Sequence, residues 1–429
     1  MRDGGRLSAA IEILTDVETR HRPVKLALKA WGDASRFAGS KDRAWVSGLV
    51  LDVLRRRRSL AWRMGDDSPR AAVFSALHVL WNWQVERIAE AAADAPHGPG
   101  ELSEAERSAL VQPRDLADAP PSIRGDYPEW LQPSFARAFG HEAALEGAML
   151  SERAPVDLRV NTLKTDAEQA LKALAPLNAA PTGVLPNALR IAAPDPSQRS
   201  QSLEAVPAFS KGWFEVQDLA SQIAAESAGD IAGKQVLDLC AGGGGKTLAL
   251  AAAMANKGQI YAYDSEARRL ADTVRRSERA GVRNLQVRSP IYPDALKGLD
   301  GKIDVVFIDA PCTGTGAWRR HPDTKWRLKP ATLAQRTADQ DGVLDHSVQF
   351  VKPGGRIVYV TCSVLPEEDE DRVAAFLERW MDFRVIPATQ NPHLVSHLTA
   401  EGYLRLSPRS SATDGFFVAV LERAKWTPQ

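Results

Sequence analysis

Three cysteines are the residues of this 429-residue chain best suited to covalent chemistry, and each lies just beyond an apolar, strand-like run. Cys240 follows Val236-Leu237-Asp238-Leu239 and opens a glycine-rich stretch. Cys312 follows Val305-Val306-Phe307-Ile308-Asp309-Ala310-Pro311, and Cys362 follows Ile357-Val358-Tyr359-Val360-Thr361. In a parallel α/β sheet, ligands gather at the carboxyl ends of the strands. Neighbouring strands lie about 4.8 Å apart, so two cysteines ending adjacent strands would address one bound molecule from two sides. A single cysteine is as readily a small buried hydrophobe. Two of them, each just past an apolar run, favour the chemical reading.

The most specific local signal is Val236-Leu-Asp-Leu-Cys-Ala-Gly-Gly-Gly-Gly-Lys-Thr247, followed by an alanine-rich helical run from Leu248 to Ala255. Glycines between a strand and a helix let backbone approach a ligand closely. Asp264 ends the next strand, and an acid about 20 residues beyond a glycine turn typically holds ribose hydroxyls. Gly-Lys-Thr also suggests a phosphate loop of Walker type, but that pattern needs a glycine where Cys240 stands. A nicotinamide loop can only be forced onto so glycine-rich a stretch.

The elements that must position these residues are an alternation of strands and helices from Gly212 onward. Strand signals are Val236–Leu239, Gln259–Tyr263, Leu285–Val287, Asp304–Ile308, Arg356–Val360 and Phe416–Leu421. Such alternation predicts a doubly wound α/β sheet, with the last strand antiparallel. Residues 1–126 read as helical: Leu7–Leu14 and Ala44–Leu54 carry apolar residues at helical spacing, and a further helical run is expected over Ala71 to Ala93. Arg55-Arg56-Arg57-Arg58 complements a helix carboxyl end or grips phosphate. Residues 127–211 form a smaller α/β unit with strands at Asp157–Leu163 and Leu189–Ile191, and residues 212–429 form the catalytic sheet.

Composition narrows the class. Hydrophobic content of 44% and charged content of 25% are those of a globular protein. Fifty-four basic residues balance 54 acidic ones, so a nucleic-acid partner must be argued from local patches. Three cysteines make no disulfide framework. No apolar run approaches the roughly 20 residues that span a bilayer, and no signal core follows the amino terminus, so a cytoplasmic, non-membrane protein is expected. His393 and His397 are four apart but lack the companions of a zinc site, and no metal is expected.

Several separated motifs occur in one order: Phe214-Glu-Val-Gln-Asp-Leu-Ala-Ser221, the glycine loop, Asp309-Ala-Pro-Cys312-Thr-Gly-Thr-Gly316, Thr361-Cys362-Ser-Val-Leu-Pro-Glu-Glu368 and Asp414-Gly-Phe-Phe417. In these the chain from about Arg159 resembles the Sun/nucleolar-antigen family of RNA cytosine-5 methyltransferases. The helical front, with Lys41-Asp-Arg-Ala-Trp-Val-Ser-Gly48 and Val53-Leu-Arg55, is similar to the NusB-type RNA-binding domain. The resemblance implies a Rossmann-like sheet dependent on S-adenosylmethionine, behind an all-α NusB-like domain and a small α/β subdomain. It implies small-subunit ribosomal RNA as substrate, with protein partners undefined. Carbon 5 of cytosine is a poor nucleophile, and a thiolate adding to carbon 6 makes it enamine-like. The resemblance assigns that attack to Cys362 and resolution of the adduct to Cys312. The methionine part of the cofactor would lie along Cys240, Ala241, Gly242, Gly243, Gly244, Gly245 and Lys246. Its ribose would lie near Asp264, and Asp309 would meet its amino end or the cytosine edge. A DNA cytosine-5 methyltransferase would use the Pro-Cys thiol instead, and Thr361-Cys362 speaks against it. The paired cysteines likewise speak against an RNA chaperone with a vestigial catalytic half.

Three departures stand out. The usual Ala-Ala-Pro-Gly-Gly loop is Ala241-Gly242-Gly243-Gly244-Gly245, and Pro-Glu-Glu-Asn ends in Asp369. The third strand is followed by Arg288-Ser289-Pro290 where an acid usually contacts adenine. RNA contact is expected from Trp318, Arg319, Arg320, Lys325 and Arg327, where cations interleave with aromatics.

Overall fold

The computed structural model describes residues 1–193, 195, 197 and 202–425. The chain packs as two compact units. Met1–Arg153 and Trp318–Leu328 belong to the first; Ala154–Ala193, Ser202–Ala317 and the chain from Lys329 belong to the second.

The first unit is helical among its described residues. Helices Asp3–Arg20, Val24–Ala34, Ser40–Arg55, Arg57–Met64 and Pro69–Val79 surround a core that includes Leu7, Leu14, Val46, Leu49, Val53, Phe74 and Leu77. The single run expected over Ala71 to Ala93 is two helices, Pro69–Val79 and Val85–Ala92. Asn82 between them adopts a left-handed backbone, with φ +55°. That turn folds Trp83 back against Trp45, with ring centroids 5.9 Å apart. Tertiary packing of one aromatic thus overrides helical periodicity.

By its packing the helical unit continues to Arg153. Tyr127 stacks on Phe135 at 4.1 Å, and Asp126 Oδ1 accepts hydrogen bonds from the backbone N–H groups of Arg58 and Ser59, both at 2.9 Å. Those N–H groups open the helix Arg57–Met64, so Asp126 caps it from a distant part of the chain. The arginine run is engaged within the unit. Arg55 donates to the Arg319 carbonyl and to Asp52, Arg56 pairs with Glu152, Arg57 with Glu18, and Arg58 reaches the Tyr127 carbonyl.

In the second unit a small antiparallel sheet has the order β2-β3-β1-β4, with β1 Val156–Val160, β2 Ala180–Pro181, β3 Ala188–Ile191 and β4 Phe214–Val216. The large sheet contains β5 Gln235–Asp238, β6 Gln259–Tyr263, β7 Leu285–Arg288, β8 Ile303–Asp309, β9 Val351–Thr361, β10 Phe383–Ile386, β11 Leu404–Leu406 and β12 Phe416–Arg423. Its order is β10-β12-β9-β8-β5-β6-β7, with β11 also on β12. Strands β5 to β9 are parallel, and β12 is antiparallel to β9. All six expected strands are present. The unforeseen β10 and β11 are short and pair with the two ends of β12.

Alternation shows why these runs are strands. Val305, Phe307, Val358 and Val360 fill the core on one face; Val306, Ile308, Ile357 and Tyr359 fill the other. A strand buried on both faces reads as continuous apolar sequence. Strand order turns back between β5 and β8, the place where such sheets open a crevice at the strand ends. No helix among the described residues is long and apolar enough to cross a membrane.

Candidate active site

Strands β8 and β9 are parallel neighbours in register, with Asp309 opposite Val360. Each continues past its carboxyl end into a short loop bearing a thiol, and Cys312 Sγ lies 3.3 Å from Cys362 Sγ. All three cysteines are free and partly buried. The two loops are tied by backbone, Gly316 N–H donating to the Cys362 carbonyl at 2.9 Å, and a third loop before β12 joins them as Gly415 N–H donates to the Gly316 carbonyl at 2.9 Å. A Cβ at Gly316 would lie 2.0 Å from the Gly415 carbonyl oxygen. Gly316→Ala is therefore expected to force these loops apart and to cost at least about 2 kcal/mol, measurable by denaturant unfolding; unchanged stability would refute the contact.

Beneath the thiols lies a buried carboxylate. Glu368 is 0% exposed and accepts from Thr313 N–H at 2.7 Å, Thr313 Oγ1, Ser363 Oγ at 2.5 Å and Gln340 Nε2 at 3.1 Å. Burial pushes its carboxyl up, against the pull of those donors. Thr315 Oγ1 lies 3.0 Å from Ser363 Oγ and accepts from Val364 N–H. The sequence motif contains Glu368, but nothing in its spacing says that it reaches back 55 residues to Thr313.

Lys246 opens the helix Gly245–Ala253, and it does not extend into solvent. Its ammonium is buried, 2.7 Å from Asp309 Oδ2 and 5.3 Å from the centroid of the Phe416 ring. Burial works against its charge, yet Asp309, with a smaller contribution from Cys362, raises its pKa overall. The Cys312 thiol is pushed well up, first by its hydrogen bond to Cys362, then by burial and by the charges of Cys362, Glu368 and Asp309. Cys240 is also pushed up, by burial and then by Asp238, Asp309 and Asp264, which keeps it a thiol. Asp238 at the end of β5 is raised to about 7 by burial, although Thr247 Oγ1 donates to it at 2.6 Å.

The glycine loop lies between β5 and that helix. Gly244 has φ +81°, and a Cβ there would lie 2.8 Å from Thr273 Oγ1, so only glycine fits. Beside Gly243 and Gly245 a Cβ would meet nothing nearer than 3.7 Å, leaving a cradle over the opening N–H groups of the helix. Asp264 Oδ2 accepts from Gly242 N–H at 2.8 Å, and its Oδ1 accepts from Glu266 N–H at 2.9 Å. Arg269, largely exposed, lies 3.4 Å from this carboxylate and covers it. A carboxylate has about four acceptor positions, so Asp264 retains capacity for hydroxyls once that side chain turns aside. These residues fit a ligand bearing a ribose and a carboxylate. Ser289 after β7 is partly buried and accepts from Ile291 N–H at 3.4 Å. Among the described residues no three histidine, cysteine, aspartate or glutamate side chains gather as a metal site.

The basic segment is largely drawn into the helical unit. Trp318 is 1% exposed and stacks on Phe135 at 5.9 Å, and Lys325 is 0% exposed. Lys325 Nζ donates to the carbonyls of Arg55 and Asp126 and to Ser151 Oγ, at 3.0, 2.8 and 2.7 Å. Arg319 is 4% exposed. Within the helical unit these three are packing residues, because the segment docks by its aromatic and aliphatic parts and draws its cations inward with them. Arg320 and Arg327 remain partly accessible, and Arg327 pairs with Asp323 at 3.1 Å.

Comparison with known proteins gives the family of the chain. The family described as 16S rRNA methyltransferase RsmB/F matches residues 230–422, and an RsmF/B-like, ferredoxin-like domain matches residues 127–198. Ribosomal RNA small subunit methyltransferase B of Photorhabdus laumondii is 31% identical over 409 residues, covering 89% of this chain and 91% of that protein. The probable ribosomal RNA small subunit methyltransferase B of Synechocystis is 32% identical over 304 residues, 70% of this chain and 67% of that one. Among solved structures, NSun6 from Pyrococcus horikoshii with SFG shares the fold at TM-score 0.61 and 21% identity, covering 70% of this chain and 99% of that one. A methyltransferase homolog protein from Pyrococcus horikoshii gives TM-score 0.58 at 27% identity, over 71% of this chain and 97% of the other. With relatives matched over nine-tenths of their length, the chain belongs to the RsmB/F family of 16S ribosomal RNA methyltransferases.

Proposed function

We propose that this protein methylates carbon 5 of a cytidine in small-subunit ribosomal RNA through a covalent adduct between Cys362 and carbon 6 of the base. The observation that carries the reading is the pair of thiols 3.3 Å apart at the ends of adjacent strands, beside the glycine loop. One sulfur can bond to carbon 6 while the other stays near carbon 5, because the two carbons are neighbours in one ring.

The methyl donor is S-adenosylmethionine, whose sulfonium supplies an electrophilic methyl group. Cys240 to Lys246 and Asp264 would hold it. Asp309 and Lys246 neutralise each other where charge builds up on the ring as the thiolate adds. The Cys362 thiolate forms the S–C6 bond, carbon 5 takes the methyl group, and the carbon 5 proton must then leave. Cys312 suits that last step. The largest cause of its raised pKa is Cys362. Once Cys362 is a thioether, that restraint is gone, so Cys312 gives up its own proton to solvent more readily and, as the thiolate, takes the carbon 5 proton while the S–C6 bond breaks and its electron pair returns to the Cys362 sulfur. The base requires extrusion from its stack to reach both sulfurs.

The test is transfer of labelled methyl from S-adenosylmethionine to unmodified small-subunit ribosomal RNA, followed by digestion to nucleosides. Label in 5-methylcytidine is expected; label in any other nucleoside sinks the proposal. Asp264→Asn is expected to weaken S-adenosylmethionine binding at least about tenfold by calorimetry, since a charge-assisted acceptor is lost. Unaltered affinity would remove Asp264 from the cofactor site.

A further inference from the structure

We propose that Glu368 is a positioning residue that holds the two thiol loops in register, and that its loss uncouples release of the methylated base from attack on it. The inference rests on the two-thiol reading of the site. Glu368 touches neither sulfur through any hydrogen bond. It takes two from Thr313, the residue after Cys312, and one from Ser363, the residue after Cys362. Its fourth donor, Gln340, also donates to the Pro311 carbonyl at 2.9 Å, on the other side of Cys312. One buried carboxylate thereby brackets Cys312 from both sides and reaches across to the Cys362 loop.

The two loops depend on it unequally. Cys362 keeps anchors of its own. Thr361 pairs with Phe417 in the sheet, and Thr361 Oγ1 donates to Asp369 at 2.5 Å. Pro311–Gly314 has no regular secondary structure, and apart from the contact between the two sulfurs its side-chain anchors converge on Glu368 or on Gln340, which Glu368 itself holds. Removing the carboxylate therefore frees the Cys312 side first. Cys362 still attacks carbon 6; Cys312 no longer sits reliably beside the proton that it must take, and an error of 1 Å there is worth about a hundredfold in rate.

The experiment compares wild type, Glu368→Ala, Glu368→Gln and Cys312→Ala by turnover, by denaturing gel for a protein–RNA adduct, and by diamide oxidation without RNA. In the oxidation Cys312 and Cys362 lose two protons and two electrons to diamide, which becomes the hydrazine, and the S–S bond forms; peptide mass spectrometry times it. Glu368→Ala is expected to lose about a hundredfold in turnover, to retain the adduct as Cys312→Ala does, and to form the disulfide at least about tenfold more slowly. Glu368→Gln should recover most of both, because its amide oxygen still accepts from the N–H donors and its NH2 meets hydroxyls that can accept. It also serves if the alanine variant does not fold, and Glu368→Gln matching Glu368→Ala in every defect counts against the proposal. Parallel loss of adduct and turnover with an unchanged oxidation rate overturns it, as do wild-type kinetics in Glu368→Ala. Should Cys312→Ala itself form no adduct, the two-thiol reading fails, and the oxidation rate alone decides whether Glu368 sets the thiol geometry.

Discussion

The Cys312→Ala protein is expected to stay covalently attached to its RNA, running as a retarded band on a denaturing gel, whereas Cys362→Ala forms no such band. Methyl transfer in Cys362→Ala should fall by at least about 10³-fold, because the covalent route that activates carbon 5 disappears altogether. In the proposed mechanism Cys312→Ala keeps the Cys362 nucleophile and the glycine loop, so one round of transfer proceeds and the product is held. The geometry makes the difference sharp. The sulfurs are 3.3 Å apart, so alanine at one position changes the surroundings of the other. In Cys362→Ala the Cys312 thiol loses the main cause of its raised pKa and becomes easier to ionise. A residual adduct in Cys362→Ala that disappears in the double variant would therefore show Cys312 acting as a substitute. An adduct in wild type that requires Cys312 and not Cys362 would reverse the assigned roles.

Lys325→Met should destabilise the helical unit by about 3–5 kcal/mol. The ammonium is 0% exposed and offers its three protons to the Arg55 carbonyl, the Asp126 carbonyl and Ser151 Oγ. Methionine is close in volume but pairs with none of them, and it leaves the fully buried Asp126 without the cation that offsets its charge. Lys325→Met combined with Asp126→Asn should recover part of the loss, as a double-mutant cycle would show. The same lysine makes stability depend on pH. Burial pulls it from 10.5 to about 7, with Arg56 and Arg55 adding to that and Asp126 opposing it. The unfolded chain then binds a proton that the folded chain has lost, so stability rises as pH climbs from about 7 toward 10.5. Denaturant midpoints of wild type should increase across that window, and Lys325→Met should abolish the increase. A pH-independent wild type, or a methionine variant as stable as wild type, would show that this lysine is not held as the structure places it.

What the sequence determined by itself was the parallel sheet and the place of the three cysteines along it. Runs such as Val305–Ile308 and Ile357–Val360 are apolar on both faces, as a strand covered on both sides of its sheet must be. The end of each run then marks where a loop must begin, and Cys240, Cys312 and Cys362 stand at three such ends. The local code carries this because period and position along one strand decide it. Contacts between distant segments are not in that code. Trp318 and the cations Arg319, Arg320, Lys325 and Arg327 read as an RNA-contact segment, since a cation's residue type says nothing of which way it points. Packing turned the segment inward, where Phe135 and three backbone or hydroxyl acceptors were available. The helix end after Val79 escaped notice for a similar reason, because Trp83 folds back onto Trp45 and only the assembled core shows it. Glu368 is the plainest case. Its neighbours in sequence place it after a thiol, but its four donors come from residues as far as 55 positions away, and only the folded sheet brings Thr313, Gln340 and Ser363 around one carboxylate.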